Sequence, residues 1–397
     1  MRLKDFLSKS ETKYDWNAVR KQYDKLGVPK DFWSPFDCPL TECSWNVVIS
    51  LRKSGKTTNL LLLGLILYKM YGTITQYVRQ SDDMIKPMAT KKLFETIKDF
   101  NYIEKIFGEG VYNDVTYKAG EWKLVYRNPE TGEIERTSTE FMHSLAVNLS
   151  DDYKSTYNAP KGDLIIYDEF ISQNSRYRQN EFVMFCDIID TIARYRKEVW
   201  IFMTANTLNP YANYLQELGI SRQLRRMKLG EHKIIDSGCV PVFVQLIPPN
   251  DYQSLKSRKA SLNLFRFGFD NPNLNSITGV DTWNFRQYRH LPKLEKQPKI
   301  LESAYVDIDG DFFKIDLCYH ELLGRCIVCK PAGREVKERV TYSLGTPAHR
   351  LYKYGMGSTK KDRKVWTMIC RNECYFATNE TGLAIKEYVE NVKRESL

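Results

Sequence analysis

Residues 46–59, with the sequence NVVISLRKSGKTTN, constrain the fold more than any other stretch of the chain. A short apolar segment leads into a polar loop, and an apolar segment that starts at Leu60 follows. A phosphate-binding loop has this order because N–H groups at a helix N-terminus bind phosphate, a lysine reaches the terminal phosphates and a Ser/Thr hydroxyl holds Mg²⁺. Gly55, Lys56 and Thr57 supply the last three positions of such a loop. The stretch therefore predicts a strand, a nucleotide-binding loop and a helix.

One residue departs from the usual pattern, because Ser50 stands where the loop normally opens with glycine. Serine is small and can occupy this position if the backbone does not need a positive φ angle there. Two interpretations stay open for Arg52 and Lys53, which either contact phosphate or a neighbouring subunit, or form a solvated loop tip. We predict that the loop comprises Ser50, Leu51, Arg52, Lys53, Ser54, Gly55, Lys56, Thr57 and Thr58.

Two acids, Asp168 and Glu169, follow a second apolar segment in GDLIIYDEF. In an open α/β sheet the ligand lies outside the carboxyl ends of the strands, so these acids are predicted to lie beside the phosphate-binding loop. Asp168 is then predicted to hold Mg²⁺, and Glu169 to polarise the attacking water. The alternative is a charged strand end at the protein surface.

A third apolar segment, EVWIFMTANTLNP, also ends in polar residues. Thr204 and Asn206 are predicted to hydrogen-bond the γ-phosphate or the attacking water. The alternative is a turn or a helix N-cap, because NTLNP is rich in turn-forming residues. The three segments in this order predict an α/β P-loop ATPase of the additional-strand, catalytic-glutamate (ASCE) type. Its sheet would be mostly parallel with helices on both faces, and its cofactors would be ATP and Mg²⁺.

The pattern along the chain also predicts its domains. We expect an N-terminal extension at 1–45, the ATPase domain at 46–250, a basic linker or lid at 251–300 and a small α+β domain at 301–397. Within these, KPMATKKLFETIKDFNYIEKIFG is predicted to be one amphipathic helix with Pro87 in its first turn. The segment VWTMICRN is predicted to be a strand.

Composition narrows the class of protein. Lys and Arg number 59 against 49 Asp and Glu, and the net charge of +10 is mild evidence for a polyanionic partner. The first residues, MRLKDFLSKSETKYDWN, have no apolar core of a signal peptide. The apolar run from Leu60 is too short for a bilayer, which needs about 20 residues. We therefore expect a cytosolic protein that is not secreted and has no membrane partner.

The nine cysteines are scattered and are best interpreted as reduced thiols. Zinc binding by Cys326 and Cys329, together with Cys370 and Cys374, is an alternative. However, the first pair lies in GRCIVCKP, which has the pattern of a strand, whereas consecutive zinc ligands usually lie on turns.

Several segments taken together resemble a known family. They are VVISLRKSGKT, YVRQSDDMIK, KSTYNAP followed by LIIYDEF, DTIARYRKEVWIFMTANTLNPY, and AYVDIDGDFFKIDL. In order and wording they are similar to the DNA-packaging motor ATPases of small tailed phages, relatives of the terminase large subunits, and most of all to the type in protein-primed podophages. The resemblance implies a homo-oligomeric ring, expected to be a pentamer. The ring would dock on the phage portal and drive double-stranded DNA into the procapsid in the cytoplasm of the bacterial host.

The resemblance also implies roles for individual residues. Lys56 and Thr57 would hold phosphate and Mg²⁺, and Asp168 and Glu169 would be the metal-binding and catalytic acids. Arg194, in TIARYR, would be an arginine finger that acts on the nucleotide of the neighbouring subunit, although Arg196 is an alternative. Lys154, before STYNAP, would be a second base acting on the neighbour, or else a surface lysine.

Two further expectations follow from the same resemblance. The C-terminal domain would be RNase H-like, a vestigial nuclease in which Asp307, Asp309 and Asp311 alternate along a strand, although DIDGD also has the pattern of a hairpin turn. DNA would be gripped through its phosphates, because a motor must accept any sequence. The candidate contacts lie in KPMATKK, where related ATPases face the ring pore, and their alternative is a solvated helix face: Lys86, Lys91 and Lys92.

Two other functions remain as alternatives. The first is another nucleic-acid-dependent P-loop ATPase, either a helicase or a loader, although no helicase motif beyond the acidic strand end is recognisable. The second is a binding module that uses nucleotide as a switch without hydrolysing it. Glu169 argues against the second alternative, because a switch has no need of a residue that activates water.

Overall fold

The computed structural model describes residues 14–50, 54–157, 161–171, 177–194, 198–206, 209–238, 240–248, 288–333, 340–344, 352–354, 360–371 and 373–395. These residues form two compact units. Those of the first unit fall within Met1–Ser172, Asn180–Leu208 and Met227–Thr282. Those of the second unit fall within Gln173–Gln179, Asn209–Arg226 and Trp283–Leu397.

The first unit contains a nine-stranded sheet. Its strands are β1 (Trp45–Ile49), β2 (Thr75–Arg79), β3 (Asp114–Lys118), β4 (Glu121–Arg127), β5 (Ile134–Ala146), β6 (Leu164–Asp168), β7 (Trp200–Ala205), β8 (His232–Asp236) and β9 (Pro241–Leu246). Their order is β3-β4-β5-β2-β6-β7-β1-β9-β8. The six strands from β5 to β9 in this order pair in parallel, and β3, β4 and β8 are antiparallel additions at the edges.

This order confirms the predicted fold class. Strand β7 lies between β1, which precedes the phosphate-binding loop, and β6, which ends in the two acids. The inserted strand is the feature that defines the ASCE type, and parallel pairing places the carboxyl ends of all three strands at one edge of the sheet. At one edge of the sheet, β3, β4 and β5 form two consecutive antiparallel hairpins.

The described residues of the first unit also form seven helices, which pack around this sheet. They are α1 (Trp16–Asp24), α2 (Lys56–Tyr71), α3 (Pro87–Thr90), α4 (Glu95–Asp99), α5 (Tyr102–Phe107), α6 (Ser150–Thr156) and α7 (Glu181–Ala193). As its composition predicts, α2 is buried on most faces, and it ends at Gly72, whose φ of 69° only glycine adopts readily. Short 3₁₀ turns occur at Pro35–Asp37, Asp82–Ile85 and Val147–Leu149.

The single amphipathic helix predicted from Pro87 onward is wrong. The segment forms three short helices, α3, α4 and α5, although Pro87 does occupy the first turn of α3. Asn101, with a φ of 54°, turns the chain between α4 and α5. The breaks let Phe94, Ile97 and Ile103 all enter the core, which one straight helix with a narrow apolar stripe would not achieve.

The described part of the predicted N-terminal extension belongs to the core of the first unit. Tyr14 is fully buried, and its ring centroid lies 5.0 Å from that of Trp200 on β7. Its hydroxyl donates to Asp163 Oδ2 at 2.9 Å and contacts Thr73 Oγ1 at 2.6 Å. Burial of a large side chain of this kind contributes about 1.5–3 kcal/mol to stability.

Among the described residues, no helix is both long and apolar enough to cross a membrane.

The second unit is an α+β domain, as predicted. Its strands are β10 (Lys299–Ile308), β11 (Asp311–His320), β12 (Gly324–Pro331), β13 (Thr341–Ser343), β14 (Tyr352–Tyr354) and β15 (Cys374–Phe376), in the order β14-β13-β10-β11-β12-β15. Strands β10 to β12 form an antiparallel meander, and the others pair in parallel with their neighbours. The helices in the described residues of this unit are α8 (Asn213–Glu217), α9 (Ser221–Leu224), α10 (Lys360–Cys370) and α11 (Asn379–Glu395).

The strand predicted at VWTMICRN is wrong, because most of this segment lies in α10. Met368 and Ile369 are buried, and Val365 packs against the same core, so the apolar residues recur at helical spacing. The aromatic and β-branched residues of the segment favoured a strand locally. Packing of α10 and α11 on the sheet decided the outcome.

The cysteine pattern has a structural explanation in β12. Cys326 packs with Cys318 and Tyr375, whereas Cys329 packs in the larger core together with Cys374. Residues three apart on a strand point to opposite faces of the sheet, so Cys326 and Cys329 cannot share one metal ion. Nor does any other part of the described chain bring together three or more His, Cys, Asp or Glu residues that could hold a metal.

Candidate nucleotide-binding site

The phosphate-binding loop connects β1 to α2, as predicted. Ser50, Ser54, Gly55, Lys56, Thr57 and Thr58 lie in the described part of the loop, and Leu51, Arg52 and Lys53 lie outside the described residues. Gly55 caps α2 with a φ of 81°, in the left-handed region that favours glycine. A Cβ atom at Gly55 would lie 2.9 Å from the ring of Phe32, so a side chain would also be excluded sterically.

Lys56 is the centre of the loop. Its ammonium is buried and donates to Ser50 Oγ, to Ser54 Oγ at 3.3 Å and to Asn206 Oδ1 at 3.0 Å. Ser50 Oγ also contacts Ser54 Oγ at 2.6 Å. The serine that replaces the usual glycine therefore supplies a hydroxyl that holds the lysine inside the loop.

Burial lowers the pKa of Lys56 to about 8, although Asp168 and Glu169 act in the opposite direction. A bound phosphate interacts with the charged ammonium, so full affinity requires the protonated lysine. We expect ATP affinity to be highest below about pH 8 and to fall above it, approaching tenfold per pH unit. Equilibrium titration with a fluorescent ATP analogue between about pH 7.5 and 9.5 checks this expectation.

Lys56→Arg is the matched control for that titration, because a guanidinium stays charged over the whole range. Its profile should be flat even if its absolute affinity is lower. A wild-type affinity that does not change between these pH values would contradict the link between Lys56 ionisation and binding.

Asp168, the last residue of β6, accepts hydrogen bonds from four side chains. Thr57 Oγ1 lies 3.1 Å from both carboxylate oxygens. Thr204 Oγ1 donates to Oδ1 at 2.6 Å, Tyr77 Oη donates to Oδ2 at 3.0 Å, and Arg79 Nη1 lies 3.3 Å from Oδ2. Three of these partners come from the neighbouring strands β2 and β7, which flank β6. A carboxylate next to a threonine hydroxyl is the oxygen donor set that Mg²⁺ prefers, so Thr57 and Asp168 fit a magnesium ion.

Glu169 follows Asp168 and is held at both carboxylate oxygens. Asn206 Nδ2 donates to Oε1 at 2.7 Å, and Arg79 Nη2 donates to Oε2 at 2.8 Å. Its φ of 56° lies in the left-handed region, which costs of order 1 kcal/mol or more for a residue other than glycine. Asn206 thus connects Lys56 to Glu169 within one network, and its predicted contact with the γ-phosphate or the attacking water stays a prediction.

Arg79 is a site residue that sequence reasoning missed. It ends β2, and its guanidinium bridges Asp168 and Glu169. Burial opposes its charge, but Tyr77 and the two acids outweigh burial and raise the pKa of Arg79. Arg79 emerges beside the two acids because it ends β2, which pairs with β6, and its own segment gives no signal of that neighbour.

The two bases expected to act on a neighbouring subunit lie together on α6 and α7, which pack against each other. Arg194 follows α7 with a φ of 44°, and its Nη2 donates to the backbone carbonyl of Tyr157 at 3.0 Å. The half-exposed ammonium of Lys154 lies 2.9 Å from Asp151 Oδ1 and 2.9 Å from Asp187 Oδ2. Arg196, the alternative finger, lies outside the described residues.

The three lysines expected to contact DNA differ in their surroundings. Lys86 is paired with Asp83 and lies 3.9 Å from Asp82 Oδ2, and hydrogen bonding to Asp83 raises its pKa. Lys91 and Lys92, which follow α3, are exposed. Of the three, Lys91 and Lys92 therefore have ammonium groups better placed to meet a phosphate backbone.

The alternating acids of the second unit do not share one strand. Asp307 belongs to β10, Asp309 lies in the turn and Asp311 begins β11, so the hairpin interpretation of DIDGD is confirmed. The nearly buried guanidinium of Arg225 lies between two of them, with Nε 2.7 Å from Asp311 Oδ2 and Nη1 3.5 Å from Asp309 Oδ2. A protein cation thus lies among carboxylates that a nuclease would use for metal ions.

The fold of the chain is similar to that of solved phage structures. The structure named "The Phi-28 gp11 DNA packaging Motor" matches with a TM-score of 0.52 and 18% identity, over 92% of this chain and 99% of that chain. "The bacteriophage Phi-29 viral genome packaging motor assembly" matches with a TM-score of 0.50 and 15% identity, over 93% of this chain and 100% of that chain. No family model and no curated protein sequence matches. At these identities the similarity shows a shared fold, which extends over both units and agrees with the resemblance drawn from the sequence.

Proposed function

We propose that this chain is an ATPase of a phage DNA-packaging motor, which couples ATP hydrolysis to translocation of double-stranded DNA into a procapsid. The observation that carries the proposal is the network at the carboxyl ends of neighbouring parallel strands, where Lys56, Asp168 and Glu169 meet. A lysine for phosphate, an acid for metal and an acid for water in one network are what ATP hydrolysis requires. The fold shared with phage packaging motors supports the same function.

In the proposed reaction, ATP and water give ADP and phosphate. Lys56 and the backbone of the loop would bind the phosphates, and Thr57 and Asp168 would hold Mg²⁺. When bound, Mg²⁺ neutralises charge on the phosphate oxygens. Glu169 would orient the attacking water and accept its proton. Arg79 and Asn206 each donate to one carboxylate oxygen, which fixes the side chain, and the second lone pair of each oxygen stays open to water.

The proposed assembly is a homo-oligomeric ring, a pentamer, that acts on the portal of a procapsid in the host cytoplasm. Arg194 and Lys154 support a ring, because the two cations lie close together at α6 and the end of α7. Both residues are exposed, so an adjacent subunit can reach them. In this arrangement Arg194 would stabilise charge on the nucleotide of the adjacent subunit.

The decisive experiment is an ATPase assay on the purified chain, with and without double-stranded DNA of unrelated sequences. We expect turnover that rises with DNA whatever its sequence. Separation of DNA strands during turnover would instead favour a helicase. Nucleotide binding with no turnover, under conditions in which rings form on the portal, would favour a nucleotide switch.

DNA binding should depend strongly on salt and weakly on sequence. Each phosphate neutralised by a lysine contributes a slope of about −0.9 to the plot of log K against log salt concentration. Replacing Lys91 or Lys92 with alanine should therefore make the slope shallower by about 0.9 for each phosphate that is no longer neutralised. Fluorescence anisotropy with labelled duplexes at several salt concentrations measures both quantities.

Lys86→Ala and Lys118→Ala are the comparisons for that series. The ammonium of Lys86 is already paired with Asp83, so its removal should change the slope less, and Lys118 lies exposed on β3. If the salt slope is the same for the wild type and for the Lys91 and Lys92 variants, neither lysine contacts a DNA phosphate.

A further inference from the structure

We infer that Tyr77 is a positioning residue for the magnesium ligand Asp168, acting together with Thr204. The inference rests on the proposed function, since it assigns the two hydroxyls that orient a carboxylate toward the metal of the ATP site. Tyr77 lies in the middle of β2 and Thr204 near the end of β7, on opposite sides of β6.

The carboxylate of Asp168 needs external orientation. The terminal torsion of an aspartate is broad, so its rotamer alone does not fix the plane of the two oxygens. Thr57 does not fix the plane either, because its hydroxyl lies 3.1 Å from both oxygens. The oxygens are distinguished by other donors, since Thr204 bonds Oδ1 at 2.6 Å and Tyr77 bonds Oδ2 at 3.0 Å.

The direction of the Tyr77 hydrogen bond is set by its surroundings. Arg79 Nη1 lies 3.5 Å from Tyr77 Oη, and a guanidinium can only donate. The proton of the phenol is therefore directed at Asp168. Tyr77 is only 3% exposed and Thr204 is fully buried, so water does not compete readily for either bond.

This arrangement matters because Mg²⁺ demands near-ideal octahedral geometry, whereas Ca²⁺ tolerates irregular coordination. Hydrogen-bond partners of metal ligands typically change metal affinity by about 10–100-fold when they are removed. Tyr77→Phe deletes one hydroxyl and keeps the ring in the core. We expect this variant to bind Mg²⁺ about tenfold more weakly in the presence of ADP, with a smaller decrease for Ca²⁺.

The experiment measures binding instead of turnover. A fluorescent ADP analogue is titrated with Mg²⁺ and separately with Ca²⁺, and direct Mn²⁺ binding to the ADP complex is followed by electron paramagnetic resonance. EDTA removes divalent metal, so binding of the analogue in EDTA measures only the affinity contributed by the loop and Lys56. This affinity should be unchanged in Tyr77→Phe. Tyr102→Phe is the matched control, because Tyr102 is also buried in the first unit and lies on α5.

Thr204 provides a second test that does not depend on the fold of the Tyr77 variant. Thr204→Val should lose Mg²⁺ affinity in the same way, and Thr204→Ser, which keeps the hydroxyl, should restore it. Wild-type Mg²⁺ affinity in both Tyr77→Phe and Thr204→Val would overturn the inference. An equal decrease in Tyr102→Phe, or an equal decrease for Mg²⁺ and Ca²⁺, would also overturn it by pointing to a general packing effect. Failure of the wild-type chain to bind nucleotide with any of the three metals would instead overturn the proposed function.

Discussion

An Arg194→Ala subunit is expected to bind ATP normally and to hydrolyse it about 10³–10⁵-fold more slowly in the assembled ring, the range seen for arginine fingers. Binding should be kept because Lys56, Thr57 and Asp168 are untouched. Hydrolysis should fail because the guanidinium would stabilise charge that develops on the γ-phosphate of the adjacent subunit. ATP binding by equilibrium titration and steady-state turnover on intact rings separate the two effects.

Subunit mixing tests whether Arg194 acts between chains. A Lys56→Ala subunit cannot use its own nucleotide but still carries its finger, so mixed rings with Arg194→Ala subunits should regain part of the activity. No recovery at any mixing ratio, with rings confirmed intact, would indicate that Arg194 acts within its own chain. If Arg196→Ala shows the decrease and the recovery while Arg194→Ala does not, the finger is Arg196. Arg20→Ala is a suitable control, since Arg20 is exposed on α1.

Glu169→Gln is expected to lower turnover on the order of 10²–10⁴-fold and to leave ATP binding intact. The amide cannot accept a proton from the attacking water. In addition, its NH₂ group would face a donor, either Asn206 Nδ2 or an Arg79 nitrogen, so one hydrogen bond of the network would be broken. Single-turnover hydrolysis, with binding measured separately, shows which step has changed.

The matched control is Glu121→Gln, a half-exposed glutamate on β4 that pairs with Lys123. Its turnover should equal that of the wild type. Normal steady-state hydrolysis by Glu169→Gln would exclude Glu169 as the base. Another group of the network would then have to accept the proton of the attacking water.

The sequence predicted the parts of the site that depend on strand ends. Gly55 and Lys56 lie between an apolar strand and an apolar helix, and Asp168 and Asn206 each follow a run of buried residues. In a parallel sheet these ends meet at one edge, so local patterns were sufficient to bring them together. The domain boundaries and the roles of individual site residues stay predictions.

The parts that the sequence did not predict depend on packing between distant segments. Arg79 and Tyr77 join the site only because β2 pairs beside β6, and nothing in their own segment indicates that neighbour. The break at Asn101 and the helix at Lys360–Cys370 have the same origin, because burial of apolar residues in the core overrode the local pattern. Short segments are the most exposed to this effect, since their intrinsic preferences differ by only about 1 kcal/mol.

The discontinuity of the second unit has a consequence for the order in which the chain folds. Residues Asn209–Arg226 belong to this unit, and Asn209 donates to the buried Glu387, 178 positions later in the chain. Arg225 likewise donates to Asp309, which lies 84 positions later in the chain. Tyr211 packs in one core with residues of α11, the last described element. During synthesis the segment Asn209–Arg226 therefore cannot complete its packing until α11 has been made. Completion of the second unit therefore requires the synthesis of α11, and a ribosome that stops before α11 releases a chain in which the apolar segment that follows Asn206 stays exposed.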